Sequence, residues 1–222
     1  MSHVRSRVAR GVALSVFIGA CDVPTISRPD FAYDPTTLTA GTLYRWTSGT
    51  AIHVWVVSDG NSAIDLGIAT RSAMNAWNAV PQFAEFTMTS ASSIAAANIV
   101  IYDRASTAPV APGGCAFDAR GAAGYTYFCV GSGTPARAEH LILSNAGGSS
   151  VSVVIRVDRG RVTSQQGYNA VVAHEFGHAL GIGAHSENAS DVMFGLPTVA
   201  TPTARDIATL RYVLGQIPLL TL

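Results

Sequence analysis

Three histidines, a glutamate and a turn-forming glycine fall at fixed intervals in one stretch, His174-Glu175-Phe176-Gly177-His178-Ala179-Leu180-Gly181-Ile182-Gly183-Ala184-His185. This spacing constrains the backbone before any fold is considered. His174 and His178 stand four residues apart, so on an α-helix both imidazoles leave the same face and can reach one ion. Glu175 follows the first histidine and points beside such an ion, not at it. H-E-x-x-H on a helix is the arrangement of two zinc ligands with a general base. Gly181 can take the left-handed conformation that other residues resist, so the helix is expected to end there in a sharp turn. After that turn His185 can approach the same ion. Three protein nitrogens leave the fourth tetrahedral position to water, as catalytic zinc requires.

The segment resembles the metzincin signature of zinc endopeptidases, H-E-x-x-H-x-x-G-x-x-H followed by a methionine turn. His174, Glu175, His178 and Gly181 fall on that pattern, whereas His185 lies one residue late, behind Gly183-Ala184. This one-residue-longer form is similar to that of bacterial matrixin-like sequences. The glycine-rich stretch is expected to absorb the extra residue, and Glu187 or Asp191 stands as the substitute ligand if it does not. Asp191-Val192-Met193-Phe194 resembles the methionine turn, with Met193 packed beneath the histidines, a role that suits a soft thioether. Gly195 stands where the astacin and serralysin branches carry tyrosine, so those branches fit less well. Weaker likeness to a matrixin domain runs through 73–77, 97–101 and 203–215. The resemblance implies an α/β (α+β) catalytic domain with a mixed twisted sheet, an active-site helix, a Met-turn and a C-terminal helix. It also implies one catalytic zinc ion, held by His174, His178 and His185, and hydrolysis of peptide bonds in a protein or peptide substrate by a zinc-bound water that Glu175 activates.

The first 21 residues look like an export signal. Arg5, Arg7 and Arg10 precede a short apolar or small-residue run at 11–20, too short to span a bilayer. Ile18-Gly19-Ala20-Cys21 resembles a bacterial lipobox, which would make Cys21 a lipidated residue; an ordinary signal peptide is the alternative. The chain is then expected in the bacterial cell envelope, held to the membrane only by its lipid, or outside the cell. Taking Cys21 for lipid leaves Cys115 and Cys129, which in an oxidising compartment are expected to form one disulfide and in the cytosol two free thiols. Residues 22–41, with three prolines, are expected to be a linker, and 42–222 the peptidase domain.

The 222 residues are enough for one domain with a core. Only 13 % are charged and the formal net charge is zero, with no basic patch, so nucleic-acid binding is disfavoured. A monomer is expected. The residue pattern predicts strands near 52–57, 83–89, 97–102, 124–130, 140–143 and 151–157, and helices over 63–80, over 168–180 and from 203 onward. Thr203 and Asp206 hold capping-box spacing. Two other functions fit the same residues: a non-catalytic envelope lipoprotein that keeps the fold as a binding module, and a zinc hydrolase acting on a non-peptide amide. An intact Glu175 favours an enzyme, because a binding module has no need of a base.

Overall fold

The computed structural model describes residues 32–39, 43–46, 49–57, 63–80, 86–104, 121–128, 140–143 and 153–215. The segment 1–21 with Cys21, and the pair Cys115 and Cys129, lie outside the described residues. The fold is mixed α/β. Its elements are β1 (Leu43–Trp46), β2 (Thr50–Val56), α1 (Leu66–Asn78), β3 (Phe86–Ser90), β4 (Ile99–Asp103), β5 (Gly124–Phe128), β6 (His140–Leu143), β7 (Val153–Val157), α2 (Gln165–Ala179) and α3 (Ala204–Gly215). Five strands form one mixed sheet in the order β3-β2-β4-β7-β5, and β1 and β6 form a separate parallel pair. Within the large sheet only β5 runs antiparallel to its neighbour, and it occupies the edge.

The central strands are continuous apolar runs because both their faces are buried. Side chains alternate across a strand. Ile99 and Ile101 of β4, with Val153, Ile155 and Val157 of β7, therefore enter the main core, while Val100, Tyr102 and Val154 form a smaller cluster on the opposite face. The main core lies between the sheet and helices α1 and α2, whose buried faces supply Ala69, Ala73, Trp77, Val172 and Phe176. Helix α1 begins where the Asp65 side chain accepts the Ile68 N–H at 2.8 Å, three residues inside the expected start. Helix α2 instead begins earlier than expected, at Gln165, because the Ser164 hydroxyl caps the Gly167 N–H at 3.1 Å.

Helix α2 is buried at every residue from Ala170 to Gly177, so it shows no distinct polar face there. Its ends and middle are fixed by side chains from far away in sequence. The Tyr168 hydroxyl donates to the buried Asp103 at the end of β4. Two buried indoles donate to its carbonyls, Trp77 to Ala173 at 2.8 Å and Trp46 to Ala179 at 2.9 Å. The second satisfies one of the carbonyls that the end of a helix leaves unpaired. These two bonds bracket the segment that carries His174, Glu175 and His178.

The described part of the proline-containing segment does not extend away from the body. Residues 32–39 lie against it, with Pro35 buried, the Tyr33 hydroxyl donating to Asp206 at 2.8 Å, and the Leu38 N–H donating to the Gly183 carbonyl at 2.8 Å.

Trp77 fills the α1–α2 interface and is fully buried. Replacing it with alanine leaves a cavity and removes the indole bond to the Ala173 carbonyl, so Trp77→Ala is expected to lower unfolding free energy by about 3–5 kcal/mol in chemical denaturation.

Candidate metal centre

The end of α2 is shaped by its glycine. Gly181 has φ +112°, and its N–H donates to the His178 carbonyl at 2.9 Å while the Ile182 N–H donates to the Gly177 carbonyl at 3.1 Å. This pair of bonds is a Schellman stop. A side chain at Gly181 would also collide with the Tyr44 carbonyl of β1. The turn folds the chain back beside the last helical turn, and the histidines are oriented by the same backbone. His178 Nδ1 lies 2.6 Å from the Ile182 carbonyl and His174 Nδ1 lies 2.8 Å from the Val192 carbonyl. A carbonyl can only accept, so each Nδ1 carries the proton and each Nε2 keeps its lone pair, the usual means of orienting a ligating imidazole.

His185 joins them despite its displaced position. One ring nitrogen from each of His174, His178 and His185 lies within 4.8 Å of the other two, close enough for the three to hold a metal ion. The ring centroids are 4.7, 5.1 and 5.3 Å apart. No other histidine, cysteine or carboxylate joins this group among the described residues. Asp191 is buried in a hydrogen-bond network instead, and Glu187 is exposed. The donor set suits a borderline-soft divalent ion: burial holds His174 down at about 4, holds His178 well below its ordinary value and lowers His185, so all three rings are neutral near pH 7.

Met193 is fully buried. Its thioether rests against the backbone of Gly177, where any side chain would strike it and Trp77 as well. The turn carrying Met193 is held by Asp206 of α3. This buried carboxylate accepts the N–H of Val192 at 2.9 Å and of Met193 at 3.3 Å, together with the Thr203 N–H at 2.9 Å and the Tyr33 hydroxyl. The expected Thr203–Asp206 capping pair therefore forms, and its carboxylate also braces the turn. Asp191 accepts from the hydroxyls of Ser186 and Thr203 and from the Arg205 guanidinium. Burial pushes its carboxyl up, but these hydrogen bonds and the Arg205 charge outweigh burial and hold it below the usual aspartate range.

Glu175 is buried on the cleft side of α2 beneath β5. The Thr126 hydroxyl donates to its Oε2 at 2.7 Å, and Gly124 leaves the space its carboxyl occupies. Burial raises its pKa to about 8 against the lowering effect of the Thr126 bond, and a cation held by the three histidines would favour the carboxylate. Glu175, His178 and His185 share a cleft of about 550 Å³.

Sequence reasoning did not single out Gly177, Thr126 or Gly124, nor the bracing role of Asp206. Gly177 alone left a local trace, since a glycine inside a helix costs about 1 kcal/mol relative to alanine and needs a packing reason.

Asp206→Asn removes an acceptor from the Met193 turn and so loosens the Val192 carbonyl that orients His174. It is expected to weaken metal binding by about 10–100-fold in a competition titration against a chelator. Asp191 gives the acid dependence. Its folded-state pKa is depressed, so its stabilisation is present above the unfolded value of about 3.9 and is lost as pH falls through the lower folded value. The stability difference between wild type and Asp191→Asn, followed by denaturation from neutral to acid pH, should therefore shrink below about pH 4. No family model matches the chain and no curated protein sequence matches it, so the assignment of this site as a three-histidine metal centre rests on its geometry.

Proposed function

We propose that this chain is an exported, zinc-dependent endopeptidase of the metzincin type. The observation that carries this reading is the cluster of three neutral imidazoles, two of which, His178 and His185, line one cleft with Glu175, with three nitrogen donors and no fourth protein ligand among the described residues. Structural zinc sites close all four positions with protein, whereas catalytic ones keep one open. An all-imidazole set suits zinc among the divalent ions. The Schellman stop at Gly181 and the buried Met193 beneath Gly177 support the metzincin comparison. The basic and then apolar composition of residues 1–20 supports export.

When bound by His174, His178 and His185, zinc supplies Lewis acidity and lowers the pKa of water. The chain's own residues do the rest. Thr126 holds Oε2 of Glu175, leaving Oε1 as the atom that takes a proton from the attacking water and returns it to the departing amine. The Nδ1 bonds to Val192 and Ile182 fix the ring planes, so the site needs little reorganisation during reaction. Strand β5 borders the cleft and, among the described residues, has a strand partner on one side only. Its other edge offers backbone donors and acceptors to an extended polypeptide.

Purified protein loaded with zinc is expected to cleave casein, and a chelator is expected to abolish the cleavage. Glu175→Gln should keep its full metal content and lose at least about 100-fold in rate. Metal-independent cleavage, or full activity of Glu175→Gln, would remove this mechanism. A wild type that binds zinc and cleaves nothing would favour a binding module.

A further inference from the structure

The three histidines of the cluster are not held alike. The Nδ1 atoms of His174 and His178 face the Val192 and Ile182 carbonyls. His185 is exposed, and among the described residues no hydrogen bond reaches its ring. Gly195 stands where a carbonyl would be expected. A Cβ at Gly195 would lie 3.3 Å from His185 Nδ1, 3.7 Å from Cγ and 3.8 Å from Cε1. The Nδ1 side of the ring therefore rests on bare backbone, and Nε2 is left to join the cluster. Unlike Gly181, Gly195 has no positive φ. The position uses the missing side chain and not the conformational freedom of glycine.

The chain on both sides of this contact is pinned. The Ser186 N–H donates to the Met193 carbonyl at 2.8 Å, Ser186 and Phe194 pair as a parallel bridge, and the Phe194 N–H donates to the Asp191 carbonyl at 3.2 Å. An added methyl at 195 would thus be relieved by the exposed ring, which must give by a few tenths of an ångström. Ligand distances in a metal site tolerate only about 0.2 Å, so a shift of that size weakens the bond to the ion. We infer that Gly195 is a positioning residue for the metal, its bare backbone seating the His185 imidazole by packing as the Val192 and Ile182 carbonyls seat the other two by hydrogen bonding. The centre is then uneven, with two ligands locked and the third held by shape. The inference rests on the three-histidine metal reading and not on peptide cleavage.

The test measures zinc affinity by competition against chelators of graded strength, for wild type, Gly195→Ala, His185→Ala and the double variant. Gly195→Ala should bind zinc about tenfold more weakly, and its cobalt(II)-loaded form should show an altered visible absorption spectrum. In the His185→Ala background the same substitution should cost nothing further, because the seat acts only through that ring. Leu196→Ala, which removes a neighbouring side chain that is 75 % exposed, should bind zinc as wild type does. Thermal melting of the metal-free proteins reports folding separately. Independently of any variant, nitrogen-15 spectra of zinc-loaded wild type should show slowly exchanging Nδ1–H protons on His174 and His178 and a rapidly exchanging one on His185. Unchanged zinc affinity in Gly195→Ala, an equal loss with and without His185, or a protected Nδ1–H on His185 overturns the seat and leaves the metal centre standing. A wild type that binds no zinc removes the metal centre, and the seat with it.

Discussion

The carboxylate of Asp206 joins three segments that are distant in sequence. It accepts the backbone N–H groups of Val192 and Met193 from the turn, that of Thr203 from the start of α3, and the hydroxyl of Tyr33 from the N-terminal segment. A buried carboxylate is costly unless its lone pairs are filled, and here four donors fill them. Its place in the first turn of α3 adds the favourable field of the helix N-terminus. Burial first, and then the nearby Asp206 charge, pushes the Tyr33 phenol above its ordinary range, so it stays protonated and remains a donor. Thr203 sets a limit on this arrangement. Its single hydroxyl proton faces both Asp191 Oδ1 at 2.6 Å and Asp206 Oδ2 at 3.0 Å, so it can serve only one fully, and Arg205 supplies the compensating charge at Asp191.

The packing above this network depends on absent side chains as much as on present ones. Met193 can pack against α2 because Gly177 leaves that face of the helix bare. Strand β5 can approach Glu175 because Gly124 leaves room for the carboxyl. Alanine at Gly177 would favour the helix by about 1 kcal/mol and still disrupt the contact, since close-packed interiors do not absorb an added methyl without strain.

The pairing of His174 with His178 was legible in the sequence because its spacing is local: i and i+4 on a helix share a face in any protein. The five-stranded sheet was largely legible for a similar reason, since runs such as Ile99–Asp103 and Val153–Val157 are apolar over a strand's length. The supporting contacts were not. Thr126 lies 49 residues from Glu175, and Tyr33 lies 173 residues from Asp206. No local pattern encodes such distances. The segment 32–39 had the composition of a linker because its proline and polar residues favour extended, solvated chain. Its docking depends on single contacts, Tyr33 to Asp206 and Leu38 to Gly183, that only the folded partner reveals. The glycine-rich stretch before His185 was expected to supply flexibility. Only Gly181 uses a conformation other residues resist; Gly183 is instead a seat for residues 35–39.

The displaced third histidine shows how these parts act together. His174 and His178 are fixed by rigid helix and by carbonyls at their Nδ1 atoms, whereas His185 is exposed on a loop. That loop is tied back to the turn below it: the Ser186 N–H donates to the Met193 carbonyl at 2.8 Å, and the Ser186 hydroxyl donates to Asp191. The turn that orients His174 through Val192 therefore also holds the residue next to His185. An extra residue between Gly181 and His185 changes the path of the chain but not these end points, one set by the Schellman stop and the other by the Asp191–Asp206 network. The spacing of the motif can lengthen by one because what fixes its third histidine lies outside the motif, in two carboxylates further along the chain.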